Sequence, residues 1–343
     1  MLRSVFGSAL WSRRRSLAWW IGGSFVYLIF LGSVFPTFRD NAAEFERVLD
    51  SYPEALRAMF NIVQGASFGS GPGFLHMELF SFMIPLVLIV FAAGFGARAI
   101  AGEEEEGLLD LVLSAPITRR RVLGQQFAAM TVGTSLIGVF MGLAIVLAGA
   151  AFDMGLNRAN VVAAMLSAVL VALVFGALAL ALGAATGRRG LALGVAGAAA
   201  VAAYLIFALA EMVPWLGTMQ KASPWYYYAA SAPMLKGPEW AHLGVLAAIV
   251  VVLPLVGLVV LERRDLAVYS GTAAAAAAPQ QQGGRQRPHP GQVAGPSRPG
   301  ACPGAVQAQD AVLGSEFVQA LVGEAGVDPE GVGGKTAAGE HRA

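Results

Sequence analysis

The chain has 343 residues, of which 56% are hydrophobic and only 13% are charged. A water-soluble domain usually carries about a quarter of its residues as Asp, Glu, Lys or Arg, so this composition excludes an ordinary soluble enzyme and indicates a protein largely covered by lipid. The formal net charge of +1 provides no basic excess that would bind nucleic acid, and the single cysteine, Cys302, cannot form an intrachain disulfide.

Residues 1–16 predict an amphipathic N-terminal helix that lies in the membrane interface. At helical spacing one face carries apolar side chains, those of Leu2, Val5, Phe6, Ala9 and Leu10. Three arginines, Arg13 to Arg15, lead into the first long apolar stretch.

Six apolar stretches follow, each close to the roughly 20 residues that an α-helix needs to cross the hydrocarbon core. They cover residues 17–35, 79–100, 126–152, 161–185, 191–212 and 241–261. Because a backbone in lipid must satisfy its own hydrogen bonds, and the alternation of a membrane barrel is absent, each stretch is predicted to be a helix. The predicted fold is an all-α integral membrane protein whose residues 17–270 form a six-span transmembrane domain.

Small residues predict where these helices approach one another. Gly138-xxx-Gly142 and Gly190-xxx-Gly194 have the spacing that allows close contact between helix backbones. The turn 186–190 is short enough to make the fourth and fifth spans an antiparallel hairpin.

The distribution of Lys and Arg predicts the orientation, because cytoplasmic loops of membrane proteins carry an excess of them. One side of the predicted topology carries about twice as many basic residues as the other. It holds Arg3, Arg13, Arg14, Arg15, Arg98, Arg119, Arg120, Arg121, Arg188, Arg189, Arg263 and Arg264. We therefore expect a multi-pass protein of the plasma membrane with both termini in the cytoplasm.

Few ionisable residues lie within the spans, and His76, Glu78 and Glu211 are expected at their ends. Ion-coupled carriers usually keep charged or unwound elements near the midplane, so a self-powered carrier is disfavoured and the energy source is expected outside the bilayer.

Residues 331–336 resemble a phosphate loop, but Pro329 occupies the position of its first glycine. The chain is thus predicted to be neither an enzyme nor a holder of a cofactor or metal.

The loop between the second and third spans, residues 101–125, has an unusual organisation. On a helix, Glu103, Glu106 and Asp110 lie on one face and leucines occupy the other. Pro116 would end this helix, and Thr118 would cap the third span. The loop predicts a short acidic helix at the cytoplasmic surface. A helix resting on lipid headgroups is the alternative, although four consecutive glutamates fit poorly against an anionic leaflet.

Two further segments have a distinctive composition, an aromatic run before the sixth span and the tail after it. Between the fifth and sixth spans a run of aromatic residues is expected at the headgroup level on the outer side. It comprises Trp225, Tyr226, Tyr227 and Tyr228. Residues 271–343 are rich in Pro, Gly, Gln, Ala and Arg, and are predicted to be a disordered tail without an assigned function.

The acidic loop resembles a segment of the permease subunits of ABC-2 type transporters. In that family a run of the form Glu-x-Glu-x-Gly-x-Leu-(Asp/Glu)-x-Leu-Leu-(Ser/Ala)-x-Pro-(Ile/Val)-(Ser/Thr)-Arg follows the second span, and residues 104–119 match it closely. The run Ser223-Pro224-Trp225-Tyr226-Tyr227-Tyr228 and the ending 262–266 are also similar to family patterns. The resemblance covers about residues 1–270, and the tail departs from it.

The resemblance implies that the chain is half of an exporter. Two permease chains, identical or different, would form the path, and each would dock on a separate ATP-binding subunit that holds ATP and Mg²⁺. The loop would be the coupling helix, with its contacts at Glu103, Glu104, Glu105, Glu106, Gly107, Leu108, Asp110, Leu111, Ser114 and Pro116. The uncharged spans favour an amphipathic or hydrophobic cargo. A membrane scaffold or receptor subunit without transport remains the alternative.

Overall fold

The computed structural model describes residues 5–53, 56, 67, 69–105, 118–210 and 213–263. These residues belong to one compact unit, 1–273. Their regular structure is helical throughout, with no strand in the described part of the chain, and the prediction of an all-α membrane protein is confirmed. The predicted tail 271–343 and loop residues 106–117 lie outside the described residues.

Among the described residues, six helices are long and apolar enough to cross a membrane, as predicted. The first to sixth spans are Arg14–Asp40, Gly71–Ala99, Arg119–Ala151, Arg158–Thr186, Arg189–Leu209 and Trp240–Arg263. The predicted hairpin between the fourth and fifth spans is also confirmed. Gly187 follows Thr186 with a φ of 65°, a left-handed conformation that favours glycine, and the fifth span begins two residues later.

The second span begins at Gly71, eight residues before the predicted start. The Ser70 side chain caps this end, because its Oγ accepts a hydrogen bond from the Gly73 N–H at 3.1 Å, and Pro72 suits the first helical turn. Hydropathy does not register such polar caps. His76 and Glu78 consequently lie within the helix rather than before it, in a π-helical turn over His76–Phe80.

Shorter helices lie at both ends of the bundle. The N-terminal helix covers Val5–Ser12, and a second short helix, Ala42–Asp50, follows the first span. The loop helix covers Ala101–Glu105. Three short helices, Pro214–Met219, Pro224–Ala229 and Pro233–Lys236, connect the fifth and sixth spans in what is called here the outer segment, residues 213–239.

The fourth span is the centre of the bundle and packs against the second, third, fifth and sixth spans. In its most apolar stretch 78% of the residues are buried, against 11% in the first span. Small residues make these contacts possible. A Cβ atom on Gly96 would overlap the backbone carbonyl of Gly176, and one on Gly257 would lie 2.8 Å from the Ala181 Cα.

The two predicted glycine pairs behave differently. Gly138 and Gly142 face Val169 and Met165 of the fourth span, so this pair does serve helix packing. Cβ atoms placed on Gly190 and Gly194 would meet nothing within 4 Å among the described residues. This part of the fifth span presents small residues to the outside of the chain.

Candidate functional site

Arginines gather at one end of the bundle, called here the basic end, where the first, third and fifth spans begin. Arg119 Nη1 donates a hydrogen bond to the Leu261 carbonyl at 3.0 Å. Arg120 forms an ion pair with Glu262, with its Nη2 donating to Oε2 at 3.1 Å. These contacts fix the start of the third span to the end of the sixth.

The loop helix lies at the basic end and continues directly from the second span. Ala101 and Gly102 are buried, and Glu105 is exposed. Glu103 Oε1 accepts a hydrogen bond from Gln126 Nε2 in the third span at 2.7 Å. Glu105 Oε1 accepts one from the backbone N–H of Arg189, at the start of the fifth span, at 2.8 Å. The loop helix is therefore bonded to two spans besides the one it extends.

The structure places part of the predicted coupling segment. Glu103, Glu104 and Glu105 are described, and Thr118 caps the third span by accepting the Arg121 N–H at 3.4 Å, as predicted. The other predicted contact residues, Glu106, Gly107, Leu108, Asp110, Leu111, Ser114 and Pro116, lie outside the described residues.

A polar cavity of about 350 Å³ lies between the N-terminal helix and the loop helix. Its polar lining consists of Ser8, Ser12, Arg13, Arg98, Glu103 and Gln126. The Arg13 guanidinium carbon lies 3.8 Å from the centre of the Phe95 ring. Burial, with the charges of Arg98 and Arg189, lowers the pKa of Arg13 to about 10, while Glu103 acts in the opposite direction. From the sequence, Arg13 was assigned to the basic run before the first span and to the orientation of the chain, but not to a cavity.

The opposite end of the bundle carries the aromatic run. Trp225 is 3% exposed and donates through Nε1 to the Ala200 carbonyl at 3.2 Å. Tyr228, also 3% exposed, donates through its hydroxyl to the Phe80 carbonyl at 2.5 Å, and burial raises the pKa of this hydroxyl. These two side chains thus differ from the expectation of a headgroup anchor, because they bind the fifth and second spans. The exposed aromatics of this region are Trp215 and Trp240, at 65% and 74%.

The other two residues of the run are only half-buried. The rings of Tyr226 and Tyr227 lie 5.6 and 5.3 Å from that of His242 at the start of the sixth span. His242 Nδ1 is 3.4 Å from Glu239 Oε2. The run therefore divides into two side chains that join helices and two that reach the surface.

An apolar cleft of about 350 Å³ lies between the first, second and third spans. Trp19, Trp20 and Tyr27 form its wall on the first span, and Met83 and Met141 line it from the other two. No charged side chain lines it among the described residues. The cleft suits an apolar molecule better than an ion.

Comparison with protein families matches residues 2–261 to the model described as "Multidrug efflux system permease Rv1217c, C-terminal domain". No individual curated protein matches the chain. The matched region includes the first five spans, the loop helix and the sixth span up to Leu261, and the family agrees with the resemblance to ABC-2 type permeases. The chain belongs to the family of multidrug efflux system permeases that this domain defines.

Proposed function

We propose that the chain is the membrane-spanning subunit of an ATP-driven exporter of ABC-2 type, coupled to a separate ATP-binding subunit. The observation that carries this proposal is the attachment of the loop helix to the third and fifth spans through Glu103 and Glu105. Family membership supports the permease role. ATP and Mg²⁺ would be bound by the partner, and this chain would catalyse no reaction.

The coupling follows from how the loop helix is held. The partly buried hydrogen bond between Gln126 and the Glu103 carboxylate is of a kind that contributes about 1.5–3 kcal/mol, so a displacement of the loop helix is transmitted to the third span rather than absorbed. The exposed bond from the Arg189 N–H to Glu105 adds a second, weaker link to the fifth span. A partner that binds the loop differently before and after ATP hydrolysis would bias the spans between two arrangements. The residues that contact the partner would be the predicted ones, namely Glu103, Glu104, Glu105, Glu106, Gly107, Leu108, Asp110, Leu111, Ser114 and Pro116.

The cargo that fits this chain is an amphipathic or hydrophobic compound moved outward. The apolar cleft beside Trp19 and Tyr27 would admit such a compound from the bilayer. The name of the matched family, which refers to multidrug efflux, supports the same class of cargo.

A second permease chain would complete the path by packing on the fifth span. Gly194 and Gly197 have open space beyond them, and small residues allow close contact between helices in lipid. In a variant with Cys302→Ser, we expect Gly197→Cys to form a disulfide between two chains under oxidation. Val195→Cys, on another exposed face of the same helix, is the control. Equal cross-linking at both positions would contradict this face as the interface.

The basic end would face the cytoplasm, because positively charged loops are retained there. We propose a plasma-membrane protein with both ends of the six-span domain on that side. Single cysteines at Arg188 and at Glu44, both exposed, test the orientation in intact cells with a membrane-impermeant maleimide. Labelling of Glu44→Cys but not of Arg188→Cys is expected, and the reverse pattern would refute the orientation.

The decisive experiment is reconstitution with the ATP-binding subunit that co-purifies with the chain. Reversing the charges of Glu104 and Glu106 together with Gly107→Pro should abolish ATP-dependent export while membrane insertion is retained. Glu44→Lys, an exposed charge reversal at the opposite end, is the matched control and should export normally. Normal export by the loop variant would refute the coupling role. A folded chain that co-purifies with no ATP-hydrolysing partner would favour the scaffold alternative.

A further inference from the structure

Glu78 is an acidic side chain within the second span, and the proposed transport cycle gives it no role. It lies seven residues after Gly71, which corresponds to about 10 Å along the helix. The span has 29 residues and is about 43 Å long, against a hydrocarbon core of about 30 Å. A centred span would therefore place Glu78 just inside the core. Ionisable residues at such positions are costly and typically mark a pathway for substrates or ions.

No contact within the chain explains this carboxylate. The side chain of Glu78 is exposed, as are those of Phe82 and Met83 one turn further along the span. Among the described residues Glu78 forms neither a hydrogen bond nor an ion pair, and no basic side chain acts on its charge. A structural ion pair between helices is therefore not the reason for an acid at this position.

The position of Glu78 beside the apolar cleft suggests another reason. Leu79, its neighbour in the sequence, and Met83 line the cleft from the second span. Tyr27, on the wall that the first span forms, is close enough for the charge of Glu78 to act on its hydroxyl. An apolar cleft with aromatic walls thus adjoins a single carboxylate on the same exposed surface.

We propose that Glu78 selects cargo with a positive charge, so that the compounds which occupy the apolar cleft are cationic amphiphiles, such as organic ammonium compounds. This inference rests on the proposed function and narrows its class of cargo. The apolar body of the compound would lie in the cleft next to Trp19 and Trp20, and its cationic group would lie between the Glu78 carboxylate and the Tyr27 ring. Aromatic rings attract organic cations, and opposite charges attract more strongly in apolar surroundings. A zwitterionic lipid fits less well, because the carboxylate repels the phosphate beside its ammonium group.

Two probes with the same apolar body test the proposal on the full-length chain, purified in an uncharged detergent without ATP or an ATP-binding subunit. Diphenylhexatriene is neutral, and its trimethylammonium derivative carries one positive charge. Because Trp19 and Trp20 line the cleft, energy transfer from tryptophan to the bound probe reports binding there. A titration corrected for empty micelles gives a dissociation constant for each probe. Wild type should bind the cationic probe more tightly than the neutral one.

The variants separate charge selection from the shape of the cleft. Glu78→Gln should weaken binding of the cationic probe about tenfold, as expected for the loss of one charged contact, and leave the neutral probe unaffected. Glu78→Asp keeps the charge and should keep the preference for the cation. Glu44→Gln removes an exposed acid outside the spans and is the control, with wild-type binding of both probes expected. Gly23→Leu, which fills the cleft, should weaken both probes.

Three results would overturn the proposal. The first is equal binding of the cationic probe by wild type and Glu78→Gln, or the same loss in Glu44→Gln. The second is equal weakening of both probes by Glu78→Gln, which would indicate a change in the shape of the cleft. The third is displacement of the cationic probe by phosphatidylethanolamine in a manner that depends on Glu78, which would identify a lipid headgroup as the occupant. If Glu78→Gln does not fold, Glu78→Ala, which removes the same charge, replaces it with the same expectation.

This binding measurement is independent of transport. Loss of ATP-dependent export with charge selection intact would refute only the proposed function. Normal export by a chain that binds both probes equally would refute only the selection of cationic cargo.

Discussion

Gln126, a buried residue of the third span, donates a hydrogen bond from Nε2 to Oε1 of Glu103 in the loop helix at 2.7 Å. These two residues are separated by the loop 106–117 and joined across the basic end of the bundle. The bond gives a direct mechanical connection between the segment that we propose to contact a partner and the third span.

Gln126→Leu is expected to uncouple export from ATP hydrolysis. Removing one partner of a charged, partly buried hydrogen bond costs about 1–3 kcal/mol, so the loop helix should move more freely relative to the third span. The number of cargo molecules exported per ATP hydrolysed should fall several-fold in the reconstituted complex. Gln125→Leu is the control, because Gln125 accepts the Phe6 N–H and does not touch the loop helix in the described contacts. An unchanged ratio for Gln126→Leu would argue against this connection.

Gly23→Leu tests the apolar cleft. Gly23 lines the cleft, and a Cβ atom there meets nothing within 4 Å, so the larger side chain fills the cavity without disturbing the fold. We expect export of bulky apolar compounds to fall several-fold while the chain remains stable. Gly22→Leu also meets open space but does not line the cleft, and should export normally. Equal activity of the two variants would remove the cleft from the cargo path.

Gly96→Ala should destabilise the bundle, because the added methyl group overlaps the Gly176 carbonyl of the central fourth span. Overpacking of this kind typically costs about 1–3 kcal/mol. Thermal unfolding in detergent, followed by size-exclusion chromatography of heated samples, should show an earlier loss of the folded peak. Gly94→Ala, two residues away with open space beyond its Cβ position, provides the comparison. A wild-type melting profile for Gly96→Ala would mean that the second and fourth spans are less closely packed.

Tyr228→Phe removes the hydroxyl that binds the Phe80 carbonyl at the end of the π-helical turn. The carbonyl then lacks this partner in a buried setting, and a loss of about 1 kcal/mol of stability is expected. Tyr227→Phe removes a hydroxyl from the half-buried neighbour and should melt as wild type does. The same melting point for both variants would show that the contact contributes little.

The pH dependence of stability gives an independent measurement of the burial of the Tyr228 hydroxyl. Burial raises the pKa of Tyr228 above its ordinary value of 10.0, so the folded chain holds this proton more tightly than the unfolded chain does. The contribution is therefore complete below about pH 10 and is lost as the pH rises above it. The melting temperature should fall above that pH in wild type and less steeply in Tyr228→Phe. Parallel pH curves would contradict the burial of this hydroxyl.

Six spans, the hairpin turn at 186–190 and the Thr118 cap could all be predicted, because each depends on residues that are close together in the sequence. The span length follows from a run of apolar side chains, and a cap or turn follows from one or two residue types. The early start of the second span and its π-helical turn could not be predicted. The start depends on the Ser70 cap and the turn on the backbone of His76–Phe80, and the hydropathy of a segment reports neither.

The sequence by itself determined that this protein has six apolar stretches long enough to cross a membrane as helices, with an acidic loop between the second and the third. Only the tertiary structure decided which residues meet: Arg13 with Phe95, Gln126 with Glu103, and Tyr228 with Phe80. The physical reason is that these helices are apolar on nearly all sides, so hydrophobicity sets their length but not their rotation or their neighbours. The rotation and the neighbours of each helix follow from two other properties. One is the surface shape of the helices, because glycines such as Gly96 and Gly176 permit close contact, and the other is the need of the few polar groups for partners.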